Sequence, residues 1–149
     1  MVEFAFTIPI LMFIALMMVE LTSMFVESQK ASAISREAAN AIYRDCIGSN
    51  DIGGCMDQLL ADVTQGAGLL LTDFAGRGRI TLNIYQIDGN GNQIPTITRP
   101  VGGTATRIVV DQGILAATKF MATAEVFYAH NFMNFFGLGA MDIYESTIY

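Results

Sequence analysis

The feature that most constrains this chain is an uncharged apolar run near its N-terminus. Residues 4–19, FAFTIPILMFIALMMV, contain no charged side chain, and a glutamate stands at each end of the run, at positions 3 and 20. As an α-helix the run would measure about 24 Å, slightly less than the ~30 Å hydrocarbon core of a bilayer. A helix that is apolar on every face must be surrounded either by lipid or by other helices.

Three interpretations of this run differ in how they explain its charges. A cleaved signal peptide should begin with Lys or Arg, whereas this chain has Glu3 there. A plain transmembrane anchor would have to extend to Val26 to be long enough, which would bury Glu20 at a cost of a few kcal/mol. A helix that leaves the membrane and enters a protein filament explains Glu3, because a cation such as the α-amino group of an adjacent subunit would pair with it. We favour the third interpretation.

The opening VEFAFTIPILMFIALMMVEL resembles the N-terminal helix of TadE-like pilins, relatives of type IV pilins that belong to tight-adherence secretion systems. The matching positions are Glu3, Pro9 and Glu20. The strings AEVFYAHNF and MDIYESTIY resemble the family's closing strands. The resemblance implies a subunit that is inserted in the inner membrane, processed by a prepilin peptidase, and handled by the pilus assembly machinery. It also implies self-association into a helical homopolymer.

One departure from the family concerns the glutamate. In the family it is normally the fifth residue of the mature protein, and here it is the third. We therefore expect a mature or truncated chain. We predict that Glu3, Phe4, Pro9, Ile14 and Glu20 form the assembly segment.

The fold class predicted is α+β, with a long N-terminal helix of the type IV pilin kind packed on a small head that holds a second helix and an antiparallel sheet. The helix should run from Glu3 to Arg44, roughly 60 Å, with a kink or frayed turn at Pro9. Residues 1–28 should project as the hydrophobic segment, and residues 29–149 should form the head. A stripe of small apolar residues from Ala31 onward should face the head, and we place Ser35 on the solvated or head-facing stretch.

The head sequence predicts further elements from its periodicity. A second amphipathic helix is indicated by Met56, Leu59, Leu60 and Val63. The string RITLNIYQI alternates like a half-buried strand, with Thr81, Asn83 and Tyr85 on its polar side. DGNGN predicts a hairpin turn, followed by a return strand over 94–98. Two more strands are expected in RIVV and in ATKFMATAEVFYA, separated by a turn at 111–113, and a helix over 114–124 is the alternative.

The two cysteines, Cys46 and Cys55, bracket a turn-like GSNDIGG stretch. Outside the cytosol this spacing predicts a disulfide that closes a short loop. The other possibility is a pair of free, buried thiols.

No catalytic, metal-binding or cofactor motif is found, so we predict a protein that is not an enzyme. The acidic DGNGN turn lacks the glutamate that a calcium loop needs, since Arg99 stands there. The lone His130 is interpreted as a surface or edge-strand residue. The GRGR string at 76–79 is interpreted as a solvated turn rather than an anion site. The net charge of −6 and scattered basic residues argue against a nucleic-acid partner.

The sequence NFMNFFGLGA contains an unusually apolar loop, in which Phe132, Phe135 and Phe136 either fold back on the head or contact a neighbouring subunit. The function predicted is a structural pilin that polymerises into an extracellular Tad-like filament on a prokaryotic cell surface, for attachment. The alternative is a low-copy, membrane-anchored minor pilin or scaffold of the assembly machine.

Overall fold

A single long helix, α1, organises the molecule. The computed structural model describes residues 2–88, 90–103, 106–131 and 139–149, but not the side chains of residues 2–5, 93, 95 and 96. Helix α1 spans Val2–Ala41 and continues as a π-helical turn over Ile42–Cys46. The remaining elements, in chain order, are α2 (Ile52–Leu70), α3 (Phe74–Arg77), β1 (Gly78–Ile87), β2 (Gln93–Val101), α4 (Gln112–Thr118), β3 (Phe120–Asn131) and β4 (Ala140–Ile148).

The strands form one antiparallel sheet in the order β2-β1-β3-β4. Helix α1 packs along β3 and β4 on one face of this sheet, and α2 packs beside it against β1 and β2. The predicted α+β architecture, a long helix on a small head with a second helix and an antiparallel sheet, is confirmed.

The C-terminal half of α1 meets the sheet through very small side chains. Ala31, Ala38 and Ala39 are completely buried, and alanine allows the helix backbone to approach the strands closely. Opposite them, β1 and β3 present a row of buried aliphatic residues that belong to the same core, namely Ile80, Leu82, Ile84, Ala122, Ala124 and Val126.

Of the two positions predicted for Ser35, solvated or head-facing, the structure shows the head-facing one. Ser35 is completely buried, and its hydroxyl donates to the carbonyl oxygen of Ala124 at 2.8 Å and lies 2.9 Å from Oγ1 of Thr147. A serine in the middle of an alanine stripe can be buried because its hydroxyl finds partners on the sheet.

The second face of the sheet is also covered, so the half-buried pattern predicted for β1 is wrong. Thr81, Asn83 and Tyr85 are buried along with their aliphatic neighbours. The connection between β2 and β3 returns across this face, where Leu115 of α4 packs with Tyr85 and Met121 in a second small core. Polar side chains on this face therefore lie under the connection instead of in water.

The prediction of a strand at RIVV is also wrong. Residues 106–110 form neither helix nor strand, and helix α4 begins directly after them, capped by the Asp111 carboxylate, which accepts from the amide of Gly113 at 2.8 Å. The alternative of a helix over 114–124 is right only up to Thr118, because β3 begins at Phe120.

Candidate functional site

From Phe6 to Val26, most side chains of α1 are exposed. We call residues 6–26 the stem. Large apolar side chains of the stem with more than 40% of their surface exposed are Phe6, Ile8, Ile10, Leu11, Met12, Phe13, Ile14, Leu16, Met18, Val19, Leu21, Phe25 and Val26. In the described part of the chain, one helix is long and apolar enough to cross a membrane, judged by length and composition alone, and it is this one.

The structure places the predicted assembly residues along this helix. Glu3 and Phe4 lie in the first turn of α1, although their side chains are outside the described part. Pro9 lies inside the helix and Ile14 is exposed at mid-stem. Phe132, Phe135 and Phe136 lie outside the described residues.

The stem ends at a polar junction with the sheet, formed by Glu20, Glu27 and His130. His130 Nδ1 lies 2.5 Å from Oε2 of Glu27, and its Nε2 lies 3.5 Å from Oε1 of Glu20. The side chains of Glu20 and Glu27 are 24% and 16% exposed, and that of His130 is 6% exposed. Beside them, Ser28 donates its hydroxyl to Oε1 of Glu145 at 2.8 Å. Two carboxylates and one imidazole thus tie the lower part of α1 to β3.

The prediction that His130 lies at the surface or on an edge strand is therefore wrong. His130 is buried, and β3 lies between β1 and β4 in the sheet. The sequence shows no motif around it because its partner Glu27 lies 103 residues away. One signal was present: Glu20 and Glu27 are seven residues apart, about two helical turns, so both lie on one side of α1.

At the other end of the head, a disulfide joins Cys46 and Cys55, with their Cα atoms 5.7 Å apart. The sequence prediction is confirmed. Cys46 ends the π-helical turn, and Cys55 lies in the first turns of α2, whose N-terminus is capped by Asp51 accepting from the amide of Gly54 at 2.9 Å. The bridge therefore fixes where α2 starts relative to the end of α1.

The acidic turn between β1 and β2 uses its first carboxylate internally. Asp88 accepts from the backbone amides of Asn90 and Asn92, each at 2.8 Å. The hydrogen bond from the Asn92 amide is the main reason that the pKa of Asp88 is lowered from its ordinary value. The Asp88 carboxylate therefore stabilises the turn through hydrogen bonds to its backbone.

Comparison with known proteins bears on the helix that carries the stem. The family model described as TadE-like protein matches residues 1–40. Residues 1–40 are therefore similar to the N-terminal segment of TadE-like proteins. The match ends one residue before α1 ends, so the family helix and α1 coincide almost completely. No curated protein and no solved structure matches the chain.

The apolar helix indicates insertion in a membrane. The family match does not extend into the head, so the resemblance of β3 and β4 to the family's closing strands stays a prediction.

Proposed function

We propose that the chain is a structural pilin subunit that its stem anchors in the membrane before assembly. The subunit then polymerises through the stem into an extracellular filament used for surface attachment. The observation that carries this proposal is the contrast within α1. Its second half is buried against the sheet, whereas the stem exposes large apolar side chains on every side. Such a surface is satisfied by lipid before assembly and by equivalent stems afterwards.

The physics of the two environments explains why a filament would be durable. In lipid the stem is already out of water, so packing of side chains, and not the hydrophobic effect, would favour stem–stem contact there. Once the filament stands in water, returning a stem to solvent would expose its side chains at about 1.5–3 kcal/mol for each large one. The ordering of the subunit offsets part of this gain, but more than ten such residues contribute.

The partners in this proposal are other copies of the chain, the inner membrane, a prepilin peptidase and the assembly machinery, with no cofactor or nucleic acid. The resemblance of the N-terminal segment supports them. A subunit present in few copies, as a minor pilin or scaffold, would carry the same stem. Its share of the filament mass distinguishes it from a principal subunit.

The test compares two variants, each of which carries one added positive charge at a different position on α1. Ile14→Lys puts an ammonium group in the middle of the stem, and Gln29→Lys puts the same group at an exposed position of the same helix, beyond the stem. Ser35→Lys is an unsuitable control because Ser35 is buried. We expect Ile14→Lys to abolish filaments and Gln29→Lys to leave their yield unchanged, each normalised to the membrane-held subunit.

Two results would contradict the proposal. If Ile14→Lys polymerises as well as the unsubstituted chain, the stem is not the filament core. If the chain contributes only a trace of the mass of sheared filaments, the alternative of a minor pilin or scaffold replaces the proposal of a principal subunit.

A further inference from the structure

Three of the eight basic residues of the chain line one small cavity in the head. Its volume is about 90 Å³, and its arginines come from three different segments: Arg77 from α3, Arg79 from β1, and Arg107 from the connection before α4. Asp142 is the one carboxylate among the described residues that line it.

Two of the guanidinium groups are held in place by aromatic rings. Arg107 lies over the rings of Phe127 and Tyr144, at 5.5 and 5.1 Å from their centroids, and Arg77 lies 4.8 Å from the ring centroid of Tyr128. Arg77 also donates from Nη2 to the carbonyl oxygen of Thr72 at 2.7 Å and to the hydroxyl of Tyr128. Stacking of this kind orients a guanidinium and leaves its edge N–H groups available.

The charge of this cluster is not neutralised within the head. Among the residues that the structure describes, none of the three arginines forms a salt bridge. Nε of Arg77 is buried and has no hydrogen-bond partner there. Because three guanidinium groups and one carboxylate line the cavity, its lining has a net positive charge and is suited to an anion that supplies acceptor oxygens.

The cavity lies at the end of the sheet from which the stem projects. Arg79 is paired with Phe127 and Asp142 with Ala129, one to three residues before His130 on β3. His130 in turn contacts Glu20 and Glu27. If residues 4–19 occupy the hydrocarbon, the stretch from Glu20 to Glu27 extends about 11 Å beyond it, which covers a lipid headgroup layer of about 5–8 Å.

We propose that this arginine cavity binds the phosphate group of an anionic phospholipid in the leaflet on the head side, and so holds the head against the membrane before assembly. The proposal rests on the membrane-inserted state of the proposed function. Guanidinium groups suit it because they bind phosphate oxygens through two parallel hydrogen bonds. The GRGR string, predicted to be a solvated turn, supplies two of the three donors.

The test uses the full chain in nanodiscs that contain equal amounts of phosphatidylglycerol and phosphatidylcholine, followed by native mass spectrometry of the lipids that stay bound. We expect the unsubstituted chain to retain phosphatidylglycerol with about a tenfold preference, because both lipids carry the phosphate but the arginines repel the choline ammonium of phosphatidylcholine. Arg79→Gln/Arg107→Gln should remove most of that preference. Arg36→Gln/Arg44→Gln removes the same charge at exposed positions outside the cavity and should leave the preference unchanged.

Further measurements distinguish lipid phosphate from free inorganic phosphate and check that the variants fold. The single variant Arg79→Gln keeps Arg107 on its rings, and we expect a partial loss of preference with an unchanged melting temperature. Equal loss in the control variant, or no preference in the unsubstituted chain, would overturn the proposal. Displacement of the lipid by millimolar inorganic phosphate would also overturn it, because the cavity would then be a free-phosphate site. A chain that does not stay in the nanodisc contradicts the membrane-inserted state itself, whereas an inserted chain without lipid preference contradicts only this inference.

Discussion

Glu27 on α1 and His130 on β3 are 103 residues apart in the chain, and their side chains meet at 2.5 Å where the stem joins the sheet. The contact is largely shielded from solvent, with 16% of the Glu27 side chain and 6% of the His130 side chain exposed. A polar group buried in this way depends on its partner for stability. The pair therefore contributes to holding the lower part of α1 on the sheet.

We predict that Glu27→Ala destabilises the head by about 2 kcal/mol, because it removes the hydrogen-bond partner of Nδ1 of His130 in a buried site. Chemical unfolding of the full chain in detergent measures the change. Hydrogen exchange should show that protection is lost first in α1 between Glu20 and Ser28. Glu37→Ala, which removes an exposed carboxylate from the same helix, is the control. Equal stability of the two variants would mean that the junction does not hold the helix.

The buried carboxylate of Glu125 gives a second prediction. Its Oε2 accepts from the backbone amides of Arg107 and Ile108, at 2.6 and 3.3 Å, and from the hydroxyl of Tyr144 at 2.8 Å. Glu125→Gln replaces one acceptor oxygen by a donor facing other donors, so we expect a loss of about 2 kcal/mol in unfolding free energy. Amide exchange at Arg107 and Ile108 should accelerate. If those amides stay protected in the variant, the connection is held by something other than Glu125.

The buried tyrosines predict a loss of stability at alkaline pH. Burial is the main cause that raises the pKa of Tyr85, and the charge of Glu125 adds to it. The folded chain thus keeps the phenolic proton more tightly than the unfolded chain. Stability should be complete below the ordinary tyrosine pKa of about 10 and fall as the pH rises beyond it.

Unfolding free energies measured across this range test that sign. Tyr85→Phe should flatten the alkaline decline, whereas Tyr43→Phe, at a position 54% exposed, should leave it unchanged. If the unfolding free energy of Tyr85→Phe falls equally steeply at alkaline pH, the decline is caused by other groups.

Glu3 offers a prediction about assembly. If it pairs with the α-amino group of a neighbouring subunit or guides docking, Glu3→Ala should leave membrane insertion intact and stop filament formation. Glu3→Gln separates the role of charge from that of hydrogen bonding. Filament yield and membrane-held subunit are measured in parallel, with Glu37→Ala as the control. Normal filament yield from Glu3→Ala would rule out both roles.

Sequence patterns predicted the elements whose environment is local. The charge-free run predicted the stem, and the alternation of Ile80, Leu82 and Ile84 predicted the strand and its core-facing side. The turn-like stretch between Cys46 and Cys55 predicted the disulfide. Each of these depends on residues close to one another in the chain.

The errors came from residues whose environment is made by distant segments. Thr81 and Asn83 look solvent-facing until the connection before β3 crosses over them. For Ser35 the sequence left open whether it is solvated or head-facing, because the acceptor that decides this, the carbonyl oxygen of Ala124, lies 89 residues away. His130 and the arginine cavity were missed for the same reason. No spacing within the sequence shows that Arg77, Arg79 and Arg107 line one cavity.

The direction in which α1 lies along the sheet has a mechanical consequence. Contacts between α1 and the strands pair Ser35 with Ala124, Ser28 with Glu145, and Glu27 with His130, so the helix runs antiparallel to β3. A pull on the stem along the helix axis would therefore load these contacts in shear and strain all of them together. A force applied across the axis would instead peel the helix away one contact at a time, starting where Glu20 and Glu27 contact His130. The head is built to resist traction along the stem better than bending at its base.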